Sequence, residues 1–90
     1  MSENINPIVY MLAQKLIQDS IKLGMTTDWT VLTSFNTSCK HVDISYYKDK
    51  NHLFNMSQFI DFDDAEQNLR NFIENVDRLE REYFEQIKQN

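Results

Sequence analysis

Apolar positions along the chain fall into two helical stretches separated by a segment of alternating character. Val9, Leu12, Leu16 and Leu23 recur at helical spacing, with Ile8, Ala13 and Ile17 widening the stripe. Gln14, Lys15, Gln18 and Lys22 take the other side, so one face is expected to be buried. Asn6-Pro7 suits the start: Asn caps a helix well, and Pro fits the first helical position, where its missing N–H would be unpaired anyway. Gly24 stands where a left-handed C-cap would end the helix. The predicted span is 7–23.

Three β-like segments follow. Trp29, Val31, Thr33 and Phe35 alternate with Thr30, Leu32 and Ser34; Val42, Ile44 and Tyr46 alternate with His41, Asp43 and Ser45. In the third, Phe54, Met56 and Ile60 alternate with Leu53, Asn55, Ser57 and Phe59, leaving apolar residues on both faces and the register weakly specified. β-Branched and aromatic content favours strands at about 29–35, 40–47 and 52–60. Asn36-Thr37-Ser38 and Lys48-Asp49-Lys50-Asn51 are turn-forming and short enough for hairpins. An antiparallel three-stranded meander is the expected result.

The last stretch is the most regular. Phe62, Ala65, Leu69, Phe72, Val76, Leu79 and Tyr83 step by three and four, and Ile73, Phe84 and Ile87 broaden the stripe. Asp63 with Glu66 fits a capping box, and acids at the start complement the helix dipole. A helix over 62–87 would be about 39 Å long, more than strands of roughly 20 Å can cover. Its excess apolar face needs the first helix or a second chain. The order is α-β-β-β-α, an α+β two-layer domain with the meander packed against an N-terminal helix and a long C-terminal helix. Residues 1–90 make one domain.

Charge is unevenly placed. The formal net charge is -5. Residues 1–60 carry five lysines and five acids; residues 61–90 carry nine acids against Arg70, Arg78, Arg81 and Lys88. Glu66–Arg70, Glu74–Arg78 and Asp77–Arg81 are i,i+4 pairs in the favoured order and absorb part of the acidity. The segment as a whole still suggests a negative ridge, Asp61, Asp63, Asp64, Glu66, Glu74, Asp77, Glu80 and Glu85, able to dock on a basic protein surface. A competing surface is the apolar seam Phe72, Val76, Leu79, Tyr83 and Ile87, which would support a homodimer.

Candidate chemistry is thin. Cys39, His41 and His52 are the only soft ligand set, without Cys-x-x-Cys or His-x-x-x-His spacing. Cys39, His41 and Asp43 alternate on one strand face but lie about 7 Å apart by strand rise, too far for a hydrogen-bonded triad. The carboxylates near position 63 are explained by a helix start, and one glycine excludes a phosphate-cradling loop. No enzyme, cofactor or metal is expected. Met1-Ser2-Glu3-Asn4 is not the start of a secretory signal and no membrane span follows. Asn36-Thr37-Ser38 and Asn55-Met56-Ser57 are therefore not expected to carry glycans, and a cytoplasmic setting is expected.

The element order matches that of the double-stranded-RNA-binding domain. That domain, however, grips phosphates with basic residues where this chain has Asp61, Asp63, Asp64 and Glu66, so direct nucleic-acid binding is not expected. In size, sign and architecture the chain resembles small acidic phage-encoded inhibitors of the anti-CRISPR or DNA-mimic anti-restriction type. That resemblance implies a non-enzymatic inhibitor or modulator of a host nucleic-acid-handling or defence protein, working in the host cytoplasm. The alternative is a homodimeric accessory, immunity or chaperone-like module that uses the apolar seam.

Overall fold

The computed structural model describes residues 6–89, with side chains to Lys88. Its elements are α1 (Pro7–Thr26), β1 (Trp29–Asn36), β2 (His41–Lys48), β3 (Asn51–Phe59) and α2 (Ala65–Gln89). The three strands form one antiparallel sheet in the order β1-β2-β3. This is the expected α+β layering, with both helices on one face and the other face open.

Asn6 accepts a hydrogen bond from the Ile8 N–H at 2.8 Å, and Pro7 is the first helical residue. The helix runs past the expected end at 23, and Gly24 lies inside it rather than at a left-handed cap. The reason is packing. A Cβ on Gly24 would sit 3.2 Å from the Val31 side chain, so glycine here permits close approach of α1 to β1. Thr27 ends the helix instead, in an extended conformation, with its N–H and hydroxyl both turned back to the Leu23 carbonyl. Ile8, expected to widen the buried stripe, is exposed, and Ser20 is buried in its place.

Strand boundaries shift by a residue from those expected. Lys40 adopts positive φ and belongs to the first turn, where the Asn36 carboxamide oxygen accepts from the Ser38 and Cys39 N–H groups. Asp49 and Lys50, with φ of 54° and 69°, form a two-residue hairpin between Lys48 and Asn51, the pattern of a type I′ turn. A register shift at Tyr46/Tyr47 leaves Leu53 as the extra residue of β3. Past it, Phe54, Met56 and Gln58 turn inward opposite Tyr46, Ile44 and Val42, as the alternation of Phe54 and Met56 indicated.

The chain turns through residues 61–64 before α2 begins. Phe62 is therefore outside the helix, and the capping box of Asp63 with Glu66 does not form: the first helical bond is from Asn68 N–H to the Asp64 carbonyl. Glu66 accepts instead from Arg70, at 3.0 and 3.2 Å. Ala65, Leu69, Ile73 and Val76 bury α2 against Val9, Ala13, Leu16 and Leu23 of α1 and against Val42, Ile44 and Tyr46 of the sheet. Asn68 donates to the buried Gln58 carboxamide at 2.9 Å, which pins the start of α2 to β3.

Tyr46 sits at the centre, fully buried. Its ring stacks on Phe54 (4.7 Å between centroids) and meets Trp29 edge-on at 6.3 Å. Its hydroxyl lies 2.7 Å from that of Ser20 and 3.5 Å from the Met56 sulfur. Ser20 donating to Tyr46, and Tyr46 to Met56, satisfies all three atoms. Burial pushes the Tyr46 phenol up to about 12.

Replacing Tyr46 with Phe should cost about 1–3 kcal/mol, because the Ser20 hydroxyl loses its partner; chemical denaturation of Tyr46→Phe against wild type measures it. Because the phenol titrates near 10 unfolded and higher folded, its contribution is intact below pH 10 and falls between pH 10 and about 12. Tyr46→Phe should remove that component of the alkaline loss. In the hairpin, Lys50→Gly should relieve a left-handed strain of roughly 1 kcal/mol, partly offset by backbone entropy. A melting temperature a few degrees above wild type is the expected reading.

Candidate binding surface

Helix and sheet lengths are mismatched, and the mismatch decides what is exposed. Twenty-five helical residues span about 37 Å, and eight-residue strands about 26 Å. The C-terminal end of α1 reaches α2 at Glu80, which contacts the Thr26 hydroxyl at 3.3 Å and Lys22 at 3.8 Å. Beyond it α2 continues alone. The molecule measures 54 × 22 × 17 Å and its radius of gyration is 14.2 Å, against about 12 Å for a compact chain of this length.

The apolar seam is consequently divided. Val76 is buried in the molecule's own core and Phe72 packs against it. Leu79 and Tyr83 are half-buried, and Ile87 is 51% exposed. Tyr83 and Phe84 meet edge-on at 5.4 Å. A notch of about 490 Å³ lies where α1 stops, lined by Lys22, Thr26, Glu80, Arg81, Phe84, Glu85 and Lys88.

The acidic ridge is divided too. Glu66 is held by Arg70 and Glu80 leans to α1. Asp77 lies on the side of α1 carrying Lys15, whose ammonium is held above its ordinary value chiefly by the hydrogen bond and charge of Asp19, and less by Asp77. The expected pairs Glu74–Arg78 and Asp77–Arg81 are not formed; Arg78 donates to Asn75 at 3.0 Å. Asp61, Asp63, Asp64, Glu74 and Glu85 are exposed and have no ion-pair partner among the described residues. Only Asp61, Asp63 and Asp64 stand together, at the corner where β3 gives way to α2.

That corner also holds Phe59, exposed on the outer face as its alternation indicated, and Phe62, which the helical periodicity misplaced. Phe62, 57% exposed, stacks on Phe59 at 5.1 Å between centroids. Phe59 in turn lies 4.4 Å from the His41 ring, whose Nε2 is hydrogen-bonded to the Ser57 hydroxyl. Phe62 with Asp61, Asp63 and Asp64 lines a shallow depression. The signal available in the sequence was Phe59, the one aromatic on the polar side of the third strand, three residues before Phe62.

The candidate chemical constellations are not assembled. Cys39 lies in the turn before β2 rather than on it, exposed and free. His41 opposes Phe59 while His52 opposes Tyr47 at the other end of the sheet. Asp43 accepts from Asn55 at 3.1 Å. Among the described residues no three His, Cys, Asp or Glu side chains are placed to hold a metal ion, and no helix is long and apolar enough to cross a membrane.

No family model matches the chain, and no curated protein or solved structure matches it either.

Truncating Val76 to Ala should cost about 2 kcal/mol, from lost burial and a residual cavity. Ile87→Glu should change stability by less than about 0.5 kcal/mol, as for an exposed site. Parallel urea titrations of the two variants separate the buried half of the seam from the exposed half.

Proposed function

We propose that this chain is a non-catalytic protein-binding inhibitor or modulator, and that it docks through the Phe59–Phe62 corner on a partner with a basic rim. The observation that carries the reading is the exposed stacked pair of phenylalanines beside three carboxylates that have no ion-pair partner among the described residues. A rigid aromatic anchor surrounded by polar groups is the usual make-up of a binding hot spot. The carboxylates choose the sign of the partner and speed its approach. They do so more effectively than the acids of α2, several of which are spent on Arg70, on Lys22 or on the flank of α1.

A basic rim is what a nucleic-acid-handling or defence protein presents to phosphate, so occupation of that rim is the form that inhibition would take. One exposed free thiol, Cys39, suits a reducing compartment such as a host cytoplasm. The exposed end of α2 supports a second reading, self-association through Tyr83, Phe84 and Ile87, on a shorter stretch than the full seam.

Two variants test the corner: Phe62→Ala, and the charge reversal of Asp61, Asp63 and Asp64 to Lys. Both change exposed residues and should leave the circular-dichroism spectrum unaltered. Phe62→Ala should weaken partner binding by about 2 kcal/mol, roughly 30-fold. The triple reversal should abolish binding, and wild-type affinity should fall as salt rises. A partner captured equally well by all three proteins would exclude this corner as the docking surface.

A further inference from the structure

β1 is an outer strand, and no described segment pairs with its open edge. Trp29–Asn36 contains no charged residue and no proline, and its pairing with β2 is regular throughout. Every second residue turns its backbone N–H and C=O groups to that open side. Such edges are normally blunted by charge, proline or a bulge, because they template pairing with another chain.

Beneath the edge, α1 adds a second feature. Its buried stripe faces the core, but Tyr10, Ile17, Ile21 and Met25 form another stripe on the flank nearest β1. Met25 is 81% exposed. Two grooves of about 260 Å³ each lie between helix and strand, the one beside Phe35 almost wholly apolar. One is lined by Tyr10, Ile17 and Phe35, the other by Ile21, Met25 and Trp29. The inward residues of β1 are only half-buried as a result, while those of β2 are fully buried.

We infer that the occupant is a second copy of this chain, joined edge to edge through β1 in antiparallel fashion to make a continuous six-stranded sheet. The pattern is self-complementary. A twofold axis through Leu32 sets Leu32 opposite its own counterpart on the outer face. It sets Val31 opposite Thr33, and Trp29 opposite Phe35, on the inner face, where the two large aromatic residues meet.

The helices agree with the same axis. Gly24 touches Val31. One strand residue onward, a rise of about 3.3 Å, corresponds to about two helical residues back, which brings Leu32 level with Ile21 or Lys22. An axis beside Ile21 places Ile21 against its counterpart and Ile17 against Met25 of the other copy, and it exchanges the two grooves. An axis at Leu32 is thus compatible with the helix stripe as well as with the strand, as an isologous interface requires.

Charge points the same way. The strand and the groove-lining side chains are neutral, which suits no strongly charged partner. The nearest acid, Asp28, would come to lie opposite Asn36 of the other copy rather than an acid. The Phe59–Phe62 corner stays uncovered at the far edge, so two docking corners would be displayed per assembly.

Sedimentation of the full chain at high micromolar concentration should give twice the 10.8 kDa chain mass. Leu32, 57% exposed, can be changed without touching the core. Leu32→Lys and Leu32→Glu should each lose the two-chain species, because like charges meet at the axis. Mixing the two variants should restore it as a heterodimer, which a merely structural disturbance would not do. Circular dichroism confirms that each variant is folded. A wild-type protein that remains monomeric, or a dimer that survives Leu32→Lys but is lost in Ile87→Glu, would overturn the inference.

Discussion

Tyr46 is the point on which the layers of this protein close. Its ring lies between Trp29 and Phe54, one from each neighbouring strand, and its hydroxyl reaches down to Ser20 in α1. A buried phenol is costly unless its oxygen is satisfied. Ser20 supplies that partner at the one turn of α1 that passes below. The pair therefore fixes the position of the helix along the strands as well as its face. Gly24 sets the separation, since a Cβ there would stand 3.2 Å from the Val31 side chain, tighter than ordinary contact. Axial and radial placement of α1 follow from these two contacts, and the core residues around them fill the space so defined.

With α1 so placed, the remaining architecture is largely a question of length. α2 lies along α1 and buries Ala65, Leu69, Ile73 and Val76, but α1 is shorter and the sheet shorter still. The last turns of α2 therefore leave the body, and the same apolar period that is core at Val76 is surface at Ile87. A helix stripe predicts burial only where something lies opposite it. The same reasoning applies at the β1 edge. Helix α1 packs beneath β1 but no described segment lies beyond it, so Val31, Phe35 and Trp29 are half-open.

Exposed apolar surface in this molecule is thus concentrated at the places where an element ends or a sheet stops. The Phe59–Phe62 corner differs from the others because its aromatics are stacked and accompanied by carboxylates that have no ion-pair partner among the described residues. The β1 edge is the reverse: neutral, apolar and regular in backbone. These contrasting properties suit different occupants, a basic protein surface at the corner and a like chain at the edge. The two sites lie on opposite sides of the sheet, so occupation of one need not obstruct the other.

By itself the sequence determined the order and type of all five elements, because periods of 3.6 and 2 are local properties and the apolar stripes of α1, β2 and α2 are regular. It also determined the N-cap at Asn6 and the positions of both hairpins, which depend on neighbouring residues alone. It misplaced Gly24 and the start of α2. A glycine is read as a cap by composition, whereas here it answers to Val31, a contact that only the folded chain makes. Asp63 and Glu66 have the spacing of a capping box, but burying Ile60 and Ala65 forces a turn through 61–64 and moves the helix start beyond them. The division of the acids was likewise decided by tertiary structure, since no spacing along α2 reveals that Glu80 will meet Lys22. The aromatic corner and the open strand edge were beyond local reading for the same reason. Each joins residues from separate elements, and exposure is a property of what the rest of the chain leaves uncovered.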